Sequence, residues 1–246
     1  MGFISYNDYT LNETYDSFVE LQKLAHDVED GYKNKNFKKN IIYPIKQFTK
    51  REYDTLKDFI NANIGIIFTP GRLKSGDAIF VPTYQYFYNF KEPEDKIKLY
   101  PHGILRIGLL TPGILIHELQ HAYDSIRSNG KFASSKHSQK YLKRESERIE
   151  KLIDKRDLSD SEYTCLAKSY FRTEHEMSAY FVKALDEMDF FYDKAKLNFK
   201  PFSVAYDDFK DIYTGYDLLE PKDKKRILRK FTQYYNRMKD RPYEDE

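Results

Sequence analysis

Apolar positions recur at helical spacing near both ends of the chain, with strand-like runs between them. Phe18, Leu21, Ala25 and Val28 share one face of a helix predicted over Asn12 to Asp30. Lys33 to Asn40 is a polar, basic connection. Thr49-Lys50-Arg51-Glu52 has the form of a capping box and predicts a helix carrying Tyr53, Leu56, Phe59 and Ile60, ended by Asn63. The period then changes. Ile64 to Phe68, Ala78 to Phe90 and Ile104 to Leu110 are short runs rich in β-branched or aromatic residues, punctuated by Gly71, Gly76, Pro93 and Gly103, which predicts strands joined by turns. Pro82 should put its strand at a sheet edge or end it early. Beyond Leu110 the pattern is helical. Thr111 as N-cap and Pro112 in the first turn predict a helix to about Arg127. A charged helix follows over about His137 to Lys155, after a Gly/Ser loop at Ser128 to Lys136. Ser159-Asp160-Ser161-Glu162 is a second capping box, opening a helix to about Phe171. Two more helices are predicted from about Thr173 to Ala195 and from Pro221 to Lys239. Helices, then strands, then helices is α+β organisation and not alternating βαβ. The expected arrangement is one domain over 1–246, with N-terminal helices over 12–62, the sheet and following helix over 64–127, and a helical part over 137–240.

Charge and composition narrow the chemistry. The chain has 246 residues, and its 41 basic groups nearly cancel 39 acidic ones, leaving +2. That balance gives no bulk attraction to nucleic acid or an anionic membrane, so no specific nucleic-acid or membrane partner is expected. The basic run Lys222 to Lys230 reads as the solvated face of an amphipathic helix that packs Ile227, Leu228, Phe231 and Tyr235. Met1 to Glu13 lacks the form of a secretory signal, and no run of 18 apolar residues occurs, so a cytoplasmic or virion location is expected. The single cysteine, Cys165, excludes an intramolecular disulfide framework and any zinc site built on several thiolates. Metal chemistry would therefore use His, Asp and Glu. With 22 Tyr, 18 Phe and no Trp, aromatic side chains are expected to fill the core.

The helix after Thr111 reads Gly113-Ile114-Leu115-Ile116-His117-Glu118-Leu119-Gln120-His121-Ala122-Tyr123-Asp124. His117 and His121, four apart, share one helix face and can bind one metal ion. Glu118 lies a quarter turn round from His117, within reach of a water on that metal. Leu115, Leu119, Ala122 and Ile126 form a separate apolar face for the core. Random placement would give this motif about 0.01 times in a chain of this composition. His26, His102 and His137 have no ligand-like spacing and are expected at the surface or in turns.

The segment resembles the zincin superfamily of metallopeptidases, which is named for this motif. The resemblance implies a small twisted, mostly antiparallel sheet whose edge strand runs beside the motif helix, with a later helix bringing a third ligand. It implies Zn2+ held by His117 and His121, with Glu118 as the general base that takes a proton from a metal-activated water. Asp124 and Arg127 stand where metzincins carry glycine and a third histidine, so the metzincin pattern does not match. A gluzincin-type ligand would come from Phe171-Arg172-Thr173-Glu174-His175-Glu176-Met177-Ser178-Ala179-Tyr180. This stretch is similar to the Glu-x-x-Ala segment of bacterial and phage zincin-like proteins, which implies Glu176 with Ala179. Glu174, followed at the same spacing by the bulkier Met177, is the rival, and His175 a further choice. Better-known gluzincins carry an aspartate four residues after the ligand glutamate; here that position is Tyr180. Asp124 could orient His121 instead, or be an exposed helix carboxylate. Tyr123, Tyr180, Arg172 and His137 could each donate to an oxyanion by chemistry, and no spacing selects among them. The expected function is zinc-dependent hydrolysis of peptide bonds, with a peptide or protein as substrate. The alternative is a zincin-like structural or binding protein, such as a component of a phage or virus particle.

Overall fold

The computed structural model describes residues 15–34, 37–38, 41–69, 78–81, 99–110, 113–127, 159–172, 174–191 and 200–240. The side chains of a few helical positions, among them Cys165, Glu174 and His175, lie outside that description, as do the charged segment over 137–155 and the loop before it. The organisation is α+β. The chain divides into two compact units, Met1–Gly130 and Lys131–Glu246.

The first unit opens with helix α1, Tyr15–Asn34. Its expected face is buried: Phe18, Leu21, Leu24, Ala25 and Val28 are all in the core. The helix continues past Asp30 to Asn34, where Lys33 in the last turn suits the macrodipole and stands 3.8 Å from the Glu29 carboxylate. Strand β1, Ile42–Pro44, follows and leads into a 3₁₀ turn at Ile45–Gln47. Neither was expected, because three residues that include a proline carry no readable period.

The helix expected from Thr49 does not form. Thr49 Oγ1 instead donates back to the Lys46 carbonyl at 2.9 Å, and only α2, Lys57–Asn61, is helical. Tertiary contacts explain this. The Glu20 carboxylate on α1 accepts the backbone N–H groups of Asp54, Thr55 and Leu56 at 3.1, 3.0 and 2.9 Å. Asp27, also on α1, accepts the Lys50 N–H at 3.0 Å and the Tyr53 hydroxyl at 2.7 Å. The amides of Lys50 and of Asp54 to Leu56 are thus tied to α1, which holds this stretch in a non-helical course up to the start of α2. Asn63 closes this stretch as expected, at φ 55, a conformation asparagine tolerates.

Desolvation would raise the Glu20 carboxyl, but its bonds to Thr55 and to the three amides outweigh that and hold it below its ordinary value of 4.5. A depressed folded value means the stabilisation is present above pH 4.5 and is lost as pH falls through the lower folded value. Glu20→Ala should cost about 1–2 kcal/mol at neutral pH. The difference from wild type in urea midpoints should shrink as pH drops below 4.5.

Strands β2, Gly65–Phe68, β3, Ala78–Val81, and β4, Ile104–Ile107, complete a four-stranded sheet of order β1-β2-β4-β3. β1 and β2 are antiparallel, with Ile42 opposite Ile67, and β3 and β4 are antiparallel, with Phe80 opposite Leu105. β2 and β4 are parallel, with Gly65 opposite Ile104, so the sheet is mixed. β2 is apolar throughout because it is internal to the sheet and buried at every position. β3 lies at an edge of the described sheet, the first of the two places that Pro82 allowed its strand. Residues 82–90 of the expected longer strand lie outside the described residues.

Gly103, just before β4, adopts φ 146, and a Cβ there would lie 2.5 Å from the Phe80 ring and 2.9 Å from the Val81 carbonyl. Both strain and collision act on β3, and the backbone carbonyl cannot swing aside as a side chain could. Gly103→Ala should therefore lower stability by at least about 2 kcal/mol, read as a fall in thermal midpoint.

Helix α3, Ile114–Arg127, carries the motif and packs on α1, β3 and β4. It starts at Ile114, with Gly113 before it at φ 73. The expected cap Thr111 and Pro112 lie outside the described residues.

The second unit contains α4, Asp160–Phe171, α5, Glu174–Phe191, α6, Phe202–Ile212, a 3₁₀ turn at Tyr216–Leu218, and α7, Pro221–Asp240. Ser159 stands directly before α4 and Pro221 in the first turn of α7, as expected. α6 was not expected: Val204, 44% exposed beside buried Ala205, blurs its apolar stripe. Phe209 and Phe231 meet at 4.7 Å between centroids, with Phe202, Tyr206 and Tyr235 around them. The aromatic richness is thus core material, as expected. On α7, Ile227, Phe231 and Tyr235 are buried, but Leu228 is 36% exposed and faces outward with the basic residues, contrary to expectation.

Candidate metal centre

In the first unit, α3 carries the two motif histidines. His117 and His121 lie one turn apart, and their rings meet at 88° with centroids 4.7 Å apart. Their Nε2 atoms are 3.1 Å apart. Two zinc–nitrogen bonds at a tetrahedral angle would place the nitrogens about 3.3 Å apart, close to this spacing. His117 is buried and His121 partly so. Leu115, Leu119 and Ala122 are buried as expected, while Ile126 is only partly so. The helix is enclosed more fully than two separate faces would require, because α1 and the sheet cover its other sides.

Glu118 is buried, with Oε1 4.0 Å from His117 Nε2. Its Oε2 accepts the backbone N–H of Phe80 at 2.6 Å. That N–H therefore points away from β4, so the outer edge of β3 meets the motif helix at the glutamate. Sequence could not have exposed this contact, since a backbone amide has no residue signature. Asp124 is buried and accepts Gln120 Nε2 at 3.0 Å, so it is not an exposed helix carboxylate.

In the second unit, α4 and α5 pack together. Glu176, in the first turn of α5, is 6% exposed, and Ala179, one turn on, is fully buried. Tyr170, 47% exposed at the end of α4, stands near Glu176 and Tyr180. Desolvation, with the nearby Glu176 charge, holds that phenol far above its ordinary value. Tyr180 meets Tyr170 edge-on at 6.5 Å and Phe171 at 5.1 Å. Tyr213 donates to the Met177 carbonyl at 3.0 Å, bracing the same turn. Tyr170 had no signal in the sequence, being one of 22 tyrosines.

Among the described residues, His117, His121 and Glu176 form a group that could hold a metal ion: each offers one ligand atom, and these atoms lie within 4.8 Å of one another. Two imidazoles and one carboxylate are a donor set that zinc accepts with a position left open. Of the other residues weighed, Tyr123 packs edge-on to Phe59 at 5.8 Å, under Arg127. Arg172 pairs with Glu220 at 2.8 Å and lies 3.9 Å from Asp223. His26 and His102 are exposed, as expected. His137 and the side chains of Glu174 and His175 lie outside the described residues. No helix among the described residues is long and apolar enough to cross a membrane.

No family model matches this chain, no curated protein matches its sequence, and no solved structure matches its fold.

Proposed function

We propose that this protein is a zinc-dependent metallopeptidase. The observation that carries the reading is the His117, His121 and Glu176 group, with the buried Glu118 carboxylate 4.0 Å from the His117 ligand atom. Zinc bound by two neutral imidazoles and one carboxylate would keep a charge of +1, polarise a carbonyl and make nearby water more acidic. Glu118 takes a proton from the attacking water as its oxygen bonds to the peptide carbonyl carbon. The carbon–nitrogen bond then breaks, and Glu118 returns the proton to the leaving amine. The Phe80 N–H fixes the rotamer of that carboxylate, so the base is oriented before substrate arrives.

The same hydrogen bond favours a second reading, in which Glu118 serves only to tie β3 to α3 around a structural metal. Bound-metal analysis of the purified protein, with a protein-substrate screen of wild type against Glu118→Gln, tests both. Absence of zinc in the wild type overturns the metal reading. Zinc without a difference in hydrolysis leaves the structural one.

A further inference from the structure

We infer that the outer face of α7 is a docking surface for the phosphate backbone of double-stranded nucleic acid, bound without regard to base sequence. The inference stands apart from the metal reading, because none of its residues belongs to the metal group.

The near-zero net charge of the chain is an average. α7 alone carries eight basic residues against two acidic ones, so the rest of the chain is net negative, at −4. Lys222, Lys225, Arg229, Gln233 and Asn236 recur at spacings of three and four, with Arg237 beside them, so they share one helix face, and all six are exposed. The acid of the first turn, Asp223, is buried and lies off that face. Lys222 stands 3.5 Å from Glu220 with its side chain 72% exposed. Among the described residues, no ion pair holds Lys225, Arg229 or Arg237. On the flanks, Lys224, Lys230 and Lys239 stand over the rings of Tyr216, Phe181 and Tyr235, which steadies their stems and leaves their charge in place.

The chemistry of the face selects the partner. Ile227, Phe231, Tyr235 and Met238 are buried in the core, so the helix has no apolar face left to enter a bilayer. Leu228 is the one large apolar side chain exposed on α7, and a protein interface would need a broader apolar centre. The tyrosines of α7 are buried too, so no ring is offered to the unstacked bases of a single strand. What remains is a row of cations and amides, the donors that phosphate and sugar oxygens take. From Lys222 to Arg237 the row runs about 22 Å along the helix. A duplex presents one charge per about 1.7 Å of its axis, so phosphates face the row along its whole length.

The test is the fluorescence anisotropy of a labelled DNA duplex of mixed sequence, titrated with the full chain at several salt concentrations. Four cations on phosphates predict a slope of about −3.6 for log affinity against log salt, and the same affinity for a duplex of unrelated sequence. Lys225→Gln, Arg229→Gln and Arg237→Gln together should lower affinity at least about 10-fold at low salt and leave a slope of about −1. The thermal midpoint should stay within a degree or two of wild type, since all three side chains are exposed. Lys38→Gln, Lys46→Gln and Lys57→Gln together remove the same charge from exposed positions elsewhere and should leave affinity and slope near wild type. No anisotropy change with the wild type overturns the inference. So does an equal loss in the control variant, which would make the attraction one of net charge alone. Sedimentation with phosphatidylserine vesicles without duplex binding gives the face to a membrane, and capture of a polyglutamate peptide without duplex binding gives it to an acidic protein; either result overturns the inference.

Discussion

Glu118→Gln is expected to retain zinc and to lose about 10²- to 10⁴-fold in peptide hydrolysis. Glutamine has the same shape as glutamate, and its amide carbonyl can still accept the Phe80 N–H that Glu118 now holds at 2.6 Å. The link between β3 and α3 therefore survives, weakened by about 1 kcal/mol as a charged acceptor becomes neutral. What glutamine cannot do is take a proton from water. Stability and metal content should thus stay near wild type while turnover collapses, a combination that a structural role for Glu118 does not produce. The measurement is hydrolysis of a protein substrate at matched zinc occupancy. Equal rates for the two proteins would leave Glu118 with its strand contact alone.

His117→Ala and Glu176→Ala should each lose the metal. Zinc at a fully ligated protein site contributes about 10–16 kcal/mol, so one donor in four is worth roughly 3 kcal/mol, and its removal should weaken binding at least about 100-fold. Metal content after gel filtration reads this directly. Zinc should also raise the thermal midpoint of the wild type and not of either variant, since a ligand that binds only the folded state stabilises it. Glu174→Ala is the informative partner, because Glu174 is the rival two residues earlier. Full zinc in Glu176→Ala together with loss in Glu174→Ala would move the third ligand to Glu174.

The motif residues were legible because helix periodicity is local. Four residues make just over one turn, so the spacing of His117 and His121 sets their shared face without reference to any other part of the chain. The internal strand β2 was legible for a related reason: burial at every position leaves an uninterrupted apolar run. The Thr49 capping box misled because the amides of the turns that would follow it bond to a distant carboxylate instead of to helix carbonyls. Glu20, more than thirty residues earlier, reaches those of Asp54 to Leu56, and no local pattern encodes that. β1 and α6 were missed because one is too short, and the other too mixed in exposure, for a period to show.

By itself, then, the sequence determined the donor chemistry. One cysteine and six histidines leave imidazole and carboxylate as the donors that any metal site here would use, and a helical spacing pairs two of the imidazoles. Only the tertiary structure decided what surrounds those donors. It placed the Phe80 amide on Glu118 and buried Asp124 beside Gln120. The Phe80 contact joins elements far apart in the chain through a backbone amide, and the burial of Asp124 comes from what packs over its helix, so both depend on how helices and strands pack rather than on the order of neighbouring residues.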